Sequence, residues 1–481
     1  MADIEELKRK SVAGVAGYTF RSVLLYMIAI GATALLSAYL SPSDFGIYFV
    51  VTSVIGVFTF LSDIGLAAAL VQMKTEPTLE DLRTSFTIQQ GLALTIFMLV
   101  VGLTPVWQRY AGLNREGLYL LYALGFSFIL ASFKTIPSIL LERKLAFNTL
   151  VIPQIVEQIV FYSIAVVLAK RGFGITSFTL AVLLRSIAGL IAIYILKPWS
   201  IGIAFSRRTL NTLLGFGLKF QANDLLARLK DDLYVVVISK FINNTDLGYI
   251  GWAKRWSMFP YQFSVQNVIA VTFPTFSRLQ QDKKLIARGL ELSVYFISLT
   301  IFPILVGMAV LAYPLTEAFP AYAKWQPALP SLYFFCLNIA LAAIANPFIS
   351  ALNAMGKINT TLKLMVMMTA ATWLLTPLVW HWYGYLAVAI VSAMVAAMSL
   401  GGYFILNKTI PTKLLTNIKV PLIASLIMGA AVMVSEQWLT PTFFHLIILA
   451  GWGFITYTAA VLLFGPSQLF KQLKLITPRK I

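Results

Sequence analysis

The 481-residue chain is 59% hydrophobic and 12% charged, with a formal net charge of +18 and one cysteine. Soluble domains carry about a quarter charged residues, so this composition excludes an ordinary soluble fold and predicts a polytopic membrane protein. Cys336 stands alone, which excludes an intramolecular disulfide and a cysteine metal cluster.

A helix needs roughly 20 apolar residues to cross the hydrocarbon core, and only a helix satisfies its own backbone there. Fourteen such runs are predicted, at residues 12–38, 45–71, 85–107, 117–141, 149–169, 175–196, 210–241, 246–277, 289–312, 328–353, 360–381, 383–406, 419–438 and 442–465. The first is too long for a removable secretory signal and reads as span 1. The fold class expected is all-α. With both termini cytoplasmic, and charges within about four residues of a span end counted with the adjoining loop, 23 of the 37 Lys and Arg fall in inside segments, 6 in outside loops and 8 within spans. That asymmetry obeys the positive-inside rule. The excess charge therefore reports orientation and anionic lipid, not nucleic acid. The tail "PSQLFKQLKLITPRKI" reads either as a short interfacial helix or as a frayed basic end.

Ionisable groups at bilayer depth face a cavity or a partner, so each one is a candidate site residue. Span 1 groups Tyr18, Arg21 and Ser22, and span 2 groups Thr52, Thr59 and Asp63, which makes an Arg21–Asp63 pair geometrically reasonable. Lys134, Glu157 and Arg185 sit singly in spans 4, 5 and 6. In span 7, "FGLKFQANDLLARLKDDLYVVV", Gln221, Asp224, Arg228, Asp231 and Asp232 fall within an arc of roughly 100°. This stripe either lines a polar cavity or pairs internally, Asp224 with Arg228 and Arg228 with Asp232 at i,i+4. Lys219 and Lys230 point away, as snorkelling stems would. Span 8 places Arg255, Gln262 and Gln266 within about 40°, beside Trp252 and Tyr261. Arginine, amides and aromatic rings suit a sugar–phosphate head group, while an interfacial arginine with Trp252 in the aromatic belt is the structural alternative.

The chain repeats itself. "SPSDFGIYFVV" at 41–51 returns as "NNTDLGYIGWA" at 243–253, an offset of 202. Ser43 and Thr245 are expected to cap a helix start, Asp44 and Asp246 to sit at its positive end, and Gly46 and Gly248 to admit a close helix. Asn148 and Asn359 recur at an offset of 211, and Gly174 and Gly384 at 210. Six spans separate the copies, so the copies enter the membrane from the same side. The expected architecture is two parallel six-helix lobes, 1–200 and 201–410, with residues 411–481 adding two helices and a basic tail. Repeated lobes of this kind hold a substrate between them and alternate access by rocking.

Motifs for other chemistries are missing. "AMGKIN" lacks the spacing and hydroxyl of a phosphate loop, no HExxH occurs, and the histidines are His381 and His445. Outer loops are short, so an external catalytic domain has no room, and neither a cofactor nor a metal is expected.

"SDFGIY", "LSDIGLAAALVQ" at 61–72, "LERKLAFNTL" at 141–150 and "FPTFSRLQQDKKL" at 273–285, on fourteen spans in two parallel lobes, resemble the Wzx-type oligosaccharide flippases. These are polysaccharide transporters of the multidrug/oligosaccharidyl-lipid/polysaccharide superfamily. The resemblance implies export of polyprenyl-diphosphate-linked oligosaccharide repeat units across the bacterial inner membrane, for surface polysaccharide synthesis. It implies a cationic cavity for the head group, to which Arg21, Arg228 and Arg255 correspond in kind. Gln221, Gln262, Gln266, Lys134 and Arg185 complete the expected polar lining. Asp224, Asp231, Asp232, Asp63 and Glu157 are the carboxylates for coupling to proton or sodium, if membrane potential alone does not drive export. The potential contributes about 2.3 kcal/mol per charge per 100 mV. A single two-lobed chain encloses a pathway as a monomer, with polymerase machinery as the expected protein partner. The alternatives are a cationic-drug extruder, a peptidoglycan-precursor flippase, and, from another class, a membrane glycosyltransferase or ligase. Eight basic against five acidic residues within the spans disfavours the drug extruder.

Overall fold

A computed structural model of the chain describes residues 24–63, 65–73, 75–144, 146–207, 209–210, 228–279, 282–438 and 442–476. Among the described residues every regular element is a helix. The chain divides into two compact units, Met1–Gly248 and Tyr249–Ile481.

The first unit holds α1 (Leu24–Tyr39), α2 (Pro42–Asp63), α3 (Leu66–Gln72), α4 (Leu79–Gly102), α5 (Thr104–Tyr110), α6 (Arg115–Arg143), α7 (Phe147–Lys170) and α8 (Thr176–Leu196). A π-helical turn, Leu229–Leu233, follows and leads into α9 (Tyr234–Ile238), after which α10 (Asn244–Arg278) starts here and continues into the second unit. The second unit then contains α11 (Lys283–Ala318), a 3-10 segment Pro320–Ala328, α12 (Leu329–Ala354), α13 (Ile358–Tyr383), α14 (Leu386–Ser399), α15 (Gly401–Asn407), α16 (Leu414–Glu436), α17 (Phe443–Phe464) and α18 (Pro466–Ile476).

Eleven helical segments among the described residues are long and apolar enough to cross a membrane. They coincide with predicted spans 2–6 and 9–14. Span 1 is represented by the shorter apolar helix Leu24–Tyr39, and much of span 7 lies outside the described residues. Span 8 is present as α10, a 35-residue helix whose Lys254, Arg255, Gln262 and Gln266 lower its hydropathy. The tail forms α18, where Gln468 Nε2 donates to the Thr416 carbonyl.

Local chemistry sets the helix starts. Thr78 and Asp81 form a capping box on α4, Asn114 caps α6, Asp282 caps α11 and Thr442 caps α17, each satisfying backbone N–H groups that have no partner inside the helix. Packing joins α7 to α8 and α4 to α6 in the first unit, and α11 to α16, α12 to α14 and α16 to α17 in the second. Leu66, Leu70, Phe86, Ile136 and Ile139 form one buried cluster, closed by Trp199. Arg143 fixes the chain after α3. Its guanidinium donates to the carbonyls of Leu70, Val71, Met73 and Thr75 at 2.7–3.1 Å.

The repeated phrase marks two helix starts, with one correction. The caps are Ser41 and Asn243, two residues earlier than Ser43 and Thr245. Asp44 N–H donates to Ser41 Oγ, and Asp44 Oδ2 accepts from Ser41 N–H. Asp246 N–H donates to Asn243 Oδ1, and Asp246 Oδ2 accepts from Asn243 Nδ2. An aspartate three residues after the cap can reach back to it, whereas Ser43 already lies inside the helix. Gly46 and Gly248 meet face to face: a β-carbon on Gly46 would strike the Asn244 carbonyl, and one on Gly248 the Pro42 carbonyl. The other landmarks agree in backbone conformation. Gly174 and Gly384 both take positive φ, 52° and 53°. Asn148 and Asn359 each stand second in their helix, after caps Ala146 and Lys357 with φ of −81° and −82°.

Candidate functional site

Tyr18, Arg21, Ser22, Lys219, Gln221 and Asp224 lie outside the described residues, as does the side chain of Asp63 at the end of α2. The expected pairs Arg21–Asp63 and Asp224–Arg228 lie outside with them.

The remaining charges of the first unit form short-range junctions. Arg228 opens the π turn. Its Nη1 donates to the Gly56 carbonyl of α2 at 2.9 Å and stands 3.5 Å from Asp232 Oδ2. Gly56 makes this approach possible, because a β-carbon there would run into the Asp232 carboxylate. One glycine thus lets an arginine and an aspartate reach the backbone of a neighbouring span. Asp231 turns elsewhere and accepts from Lys230 Nζ at 2.7 Å. The single stripe expected from 100° per residue is therefore split, because a π turn accommodates an extra residue and breaks that periodicity after Leu229. Lys230 consequently has a carboxylate partner, where a free snorkelling stem was expected.

The second junction lies between α6 and α7. Lys134 Nζ donates to Glu157 Oε1 at 2.5 Å, with the side chains 20% and 21% exposed. Glu157 rests on Gly189 of α8, where any side chain would displace the carboxylate. Arg185 stacks its guanidinium 5.2 Å from the centre of the Phe161 ring, the spacing of a cation–π contact. The three lone charges of spans 4, 5 and 6 thus acquire partners through tertiary packing. The span 2 hydroxyls of Thr52 and Thr59 donate to carbonyls of their own helix, Tyr48 and Ile55, and so are satisfied internally.

The second unit is different in kind. Arg255 and Gln262 are half-buried on α10 and Gln266 is exposed. Trp252 is buried and stacks on Trp325 with ring centres 5.0 Å apart and planes 10° from parallel. It belongs to the packed interior of the unit and not to an interfacial belt. Tyr261 accepts a hydrogen bond from Asn346 Nδ2 of α12. A cavity of about 680 Å³ opens among α10, α11, α16 and α17, lined by Trp256, Phe263, Met308, Phe454 and other apolar groups. Such a lining accepts hydrocarbon and gives a diphosphate nothing to bind.

Two polar contacts escaped sequence reasoning. Gln90 of α4 meets Ser132 of α6, and Asn338 Nδ2 donates to the Ser392 carbonyl at 2.6 Å. Neutral amides inside apolar runs were the available signal, and a search restricted to ionisable residues passes over them.

Residues 35–330 match the family described as "Polysaccharide biosynthesis protein". The chain is 25% identical to the succinoglycan biosynthesis transport protein ExoT of Rhizobium meliloti over 67% of its own length and 65% of that protein's. It is 22% identical to the lipopolysaccharide biosynthesis protein WzxC of Escherichia coli, over 76% and 74% of the two lengths. It therefore spans just under two thirds of the first of these relatives. Among solved structures, the lipid II flippase MurJ in an inward closed conformation is similar with a TM-score of 0.77 and 16% identity, covering 95% of this chain and 100% of that one. At that identity the likeness is one of fold.

Proposed function

Because the chain belongs to the polysaccharide biosynthesis protein family and is a multi-pass membrane protein, we propose that it is a flippase for lipid-linked glycan. Its substrate in this reading is a polyprenyl-diphosphate oligosaccharide, moved from the cytoplasmic to the outer leaflet of a bacterial inner membrane by alternating access. The observation that carries the proposal is the conjunction of that family match with a backbone shared with a flippase over 95% of the chain.

The proposed topology has fourteen spans with both termini cytoplasmic, in two parallel lobes (1–200 and 201–410) followed by two helices and the basic tail. The protein works as a monomeric transporter without catalysis and hands its product to polymerising machinery. Physical chemistry supports the assignment of roles. A diphosphate cannot enter hydrocarbon unless fixed donors replace its hydration. Arg228 and Arg255, with Gln262 and Gln266, supply such donors from two successive spans, and Lys134 and Arg185 add positive charge in the first unit. Arg228, paired with Asp232, would exchange that carboxylate for a phosphate of the substrate. Asp231, Asp232 and Glu157 are the described carboxylates available for coupling to protons or sodium.

Head-group translocation in proteoliposomes tests the proposal, using a polyprenyl-diphosphate oligosaccharide under an imposed inside-negative potential. We expect transport by the unmodified protein, and a fall of at least ~10-fold for Arg228→Ala with Arg255→Ala, at matched abundance, since each arginine offers charge-assisted bonds to phosphate. Extrusion of an organic cation without glycolipid movement would move the protein to a drug-exporter role. Transfer of the glycan to an acceptor would make it an enzyme.

A further inference from the structure

From 198 to 206 the chain forms no regular element, and from 201 to 207 its residues alternate exposed and half-buried without interruption. Ile201, Ile203 and Phe205 face outward, 50%, 85% and 66% exposed. The inward face is fastened to α4 in regular steps. Ala204 N–H donates to Thr87 Oγ1 at 3.3 Å, Ser206 N–H to Thr84 Oγ1 at 3.2 Å, and the Thr209 hydroxyl to Asp81 Oδ1 at 2.7 Å. Each step moves three residues along the helix, so the segment climbs α4 as a strap. Gly202 lies directly on the Arg83 guanidinium, which a side chain there would displace. Trp199 holds the near end, donating to Tyr194 Oη at 2.9 Å and packing edge-on against Phe86.

The level of the strap decides what its outward face meets. The 24 residues of α4 extend about 36 Å at 1.5 Å per residue, more than the ~30 Å hydrocarbon core. Thr87 stands about 12 Å from the start of α4 and is the third residue of the predicted span 85–107, so the Ala204 rung lies where that span begins. The three outward apolar side chains therefore stand beside the start of a predicted span. Cations border them, with the Asp81 carboxylate at the far end under Thr209. Lys197 precedes the strap, Arg207 follows it, and Arg83 lies beneath. The Nε of Arg83 is buried without a hydrogen-bond partner, and among the described residues no carboxylate pairs with this side chain.

We propose that this strap is a lipid-binding edge. Ile201, Ile203 and Phe205 insert among the acyl chains, and Arg83, with Lys197 and Arg207, holds the phosphate of an anionic phospholipid of the surrounding bilayer. An apolar row bordered by cations is the pattern that binds an anionic membrane interface. The proposal does not depend on which glycolipid the protein carries.

The test uses the full chain in nanodiscs of mixed phosphatidylcholine and phosphatidylglycerol, with nitroxides attached through Ile203→Cys or Phe205→Cys in a Cys336→Ala background. Glu116→Cys, at the exposed start of α6, serves as the aqueous reference. We expect dissolved oxygen to relax labels at 203 and 205 more strongly than a water-soluble nickel complex does, and the reverse at 116. Nickel access at 203 equal to that at 116 would overturn the lipid contact and leave a protein partner or water as the neighbour. The head-group half is read with a fluorophore at position 203 and brominated lipids. Brominated phosphatidylglycerol should quench about fivefold more than brominated phosphatidylcholine, the enrichment one basic residue gives near an anionic surface, and Arg83→Gln should remove that preference. Equal quenching by the two lipids in the unmodified strap would overturn the anionic site while leaving the apolar contact standing.

Discussion

The two units differ in the polar contacts that hold them. The first keeps full charges and neutralises them across short distances: Lys134 on Glu157, and Arg228 on Asp232 and the Gly56 carbonyl. The second carries Lys254 and Arg255 on α10 as well, and adds neutral contacts, Asn346 on Tyr261 and Trp252 stacked on Trp325, beside an apolar cavity. The contrast teaches where substitution should hurt. A charge that loses its partner at low dielectric is costly, whereas an amide that loses its partner forfeits one hydrogen bond.

The sharpest way to break this comparison is Glu157→Ala, which strands the Lys134 ammonium. Unfolding in mixed micelles should register a loss of about 3 kcal/mol, and Lys134→Met combined with Glu157→Leu should recover most of it. If the double variant stays as unstable as the single one, the packing on Gly189 matters more than the charge. Asp232→Asn comes next. It retains an oxygen for Arg228 but removes the ion pair, and should lower stability by about 1–2 kcal/mol while leaving the fold intact by circular dichroism. In the second unit Asn346→Ala and Tyr261→Phe should each lower stability by about 1 kcal/mol, and the pair together by no more than either alone, since they remove the same bond. The smallest effect belongs beside the cavity. A β-carbon at Gly307 meets only the Met428 methyl at 3.8 Å, so Gly307→Ala should raise stability by roughly 0.5–1 kcal/mol through helix propensity alone. A loss there would mean that the cavity needs its open wall.

Sequence patterning revealed most helices because hydrophobic length is a local property, visible without any partner. The repeat was legible for the same reason: Asp44 and Asp246 must sit three residues after a cap, so the phrase survives in both copies. Local reading failed where geometry departs from the standard helix. The π turn at Leu229–Leu233 hides from a 100° wheel and sends Asp231 to Lys230. It failed again where partners come from distant positions. Nothing near Lys134 announces Glu157, and nothing near Gly56 announces Arg228. The strap over α4 was passed over because seven residues of alternating exposure are too few to stand out among long apolar runs.

The length of α10 has a mechanical consequence. Its 35 residues extend about 52 Å, but Pro260 and Pro274 stand inside it, and each removes a backbone donor and crowds the preceding turn. A helix interrupted in this way yields at those two points, so a tilt imposed near its first turn is absorbed along its length and is not transmitted whole to Arg278.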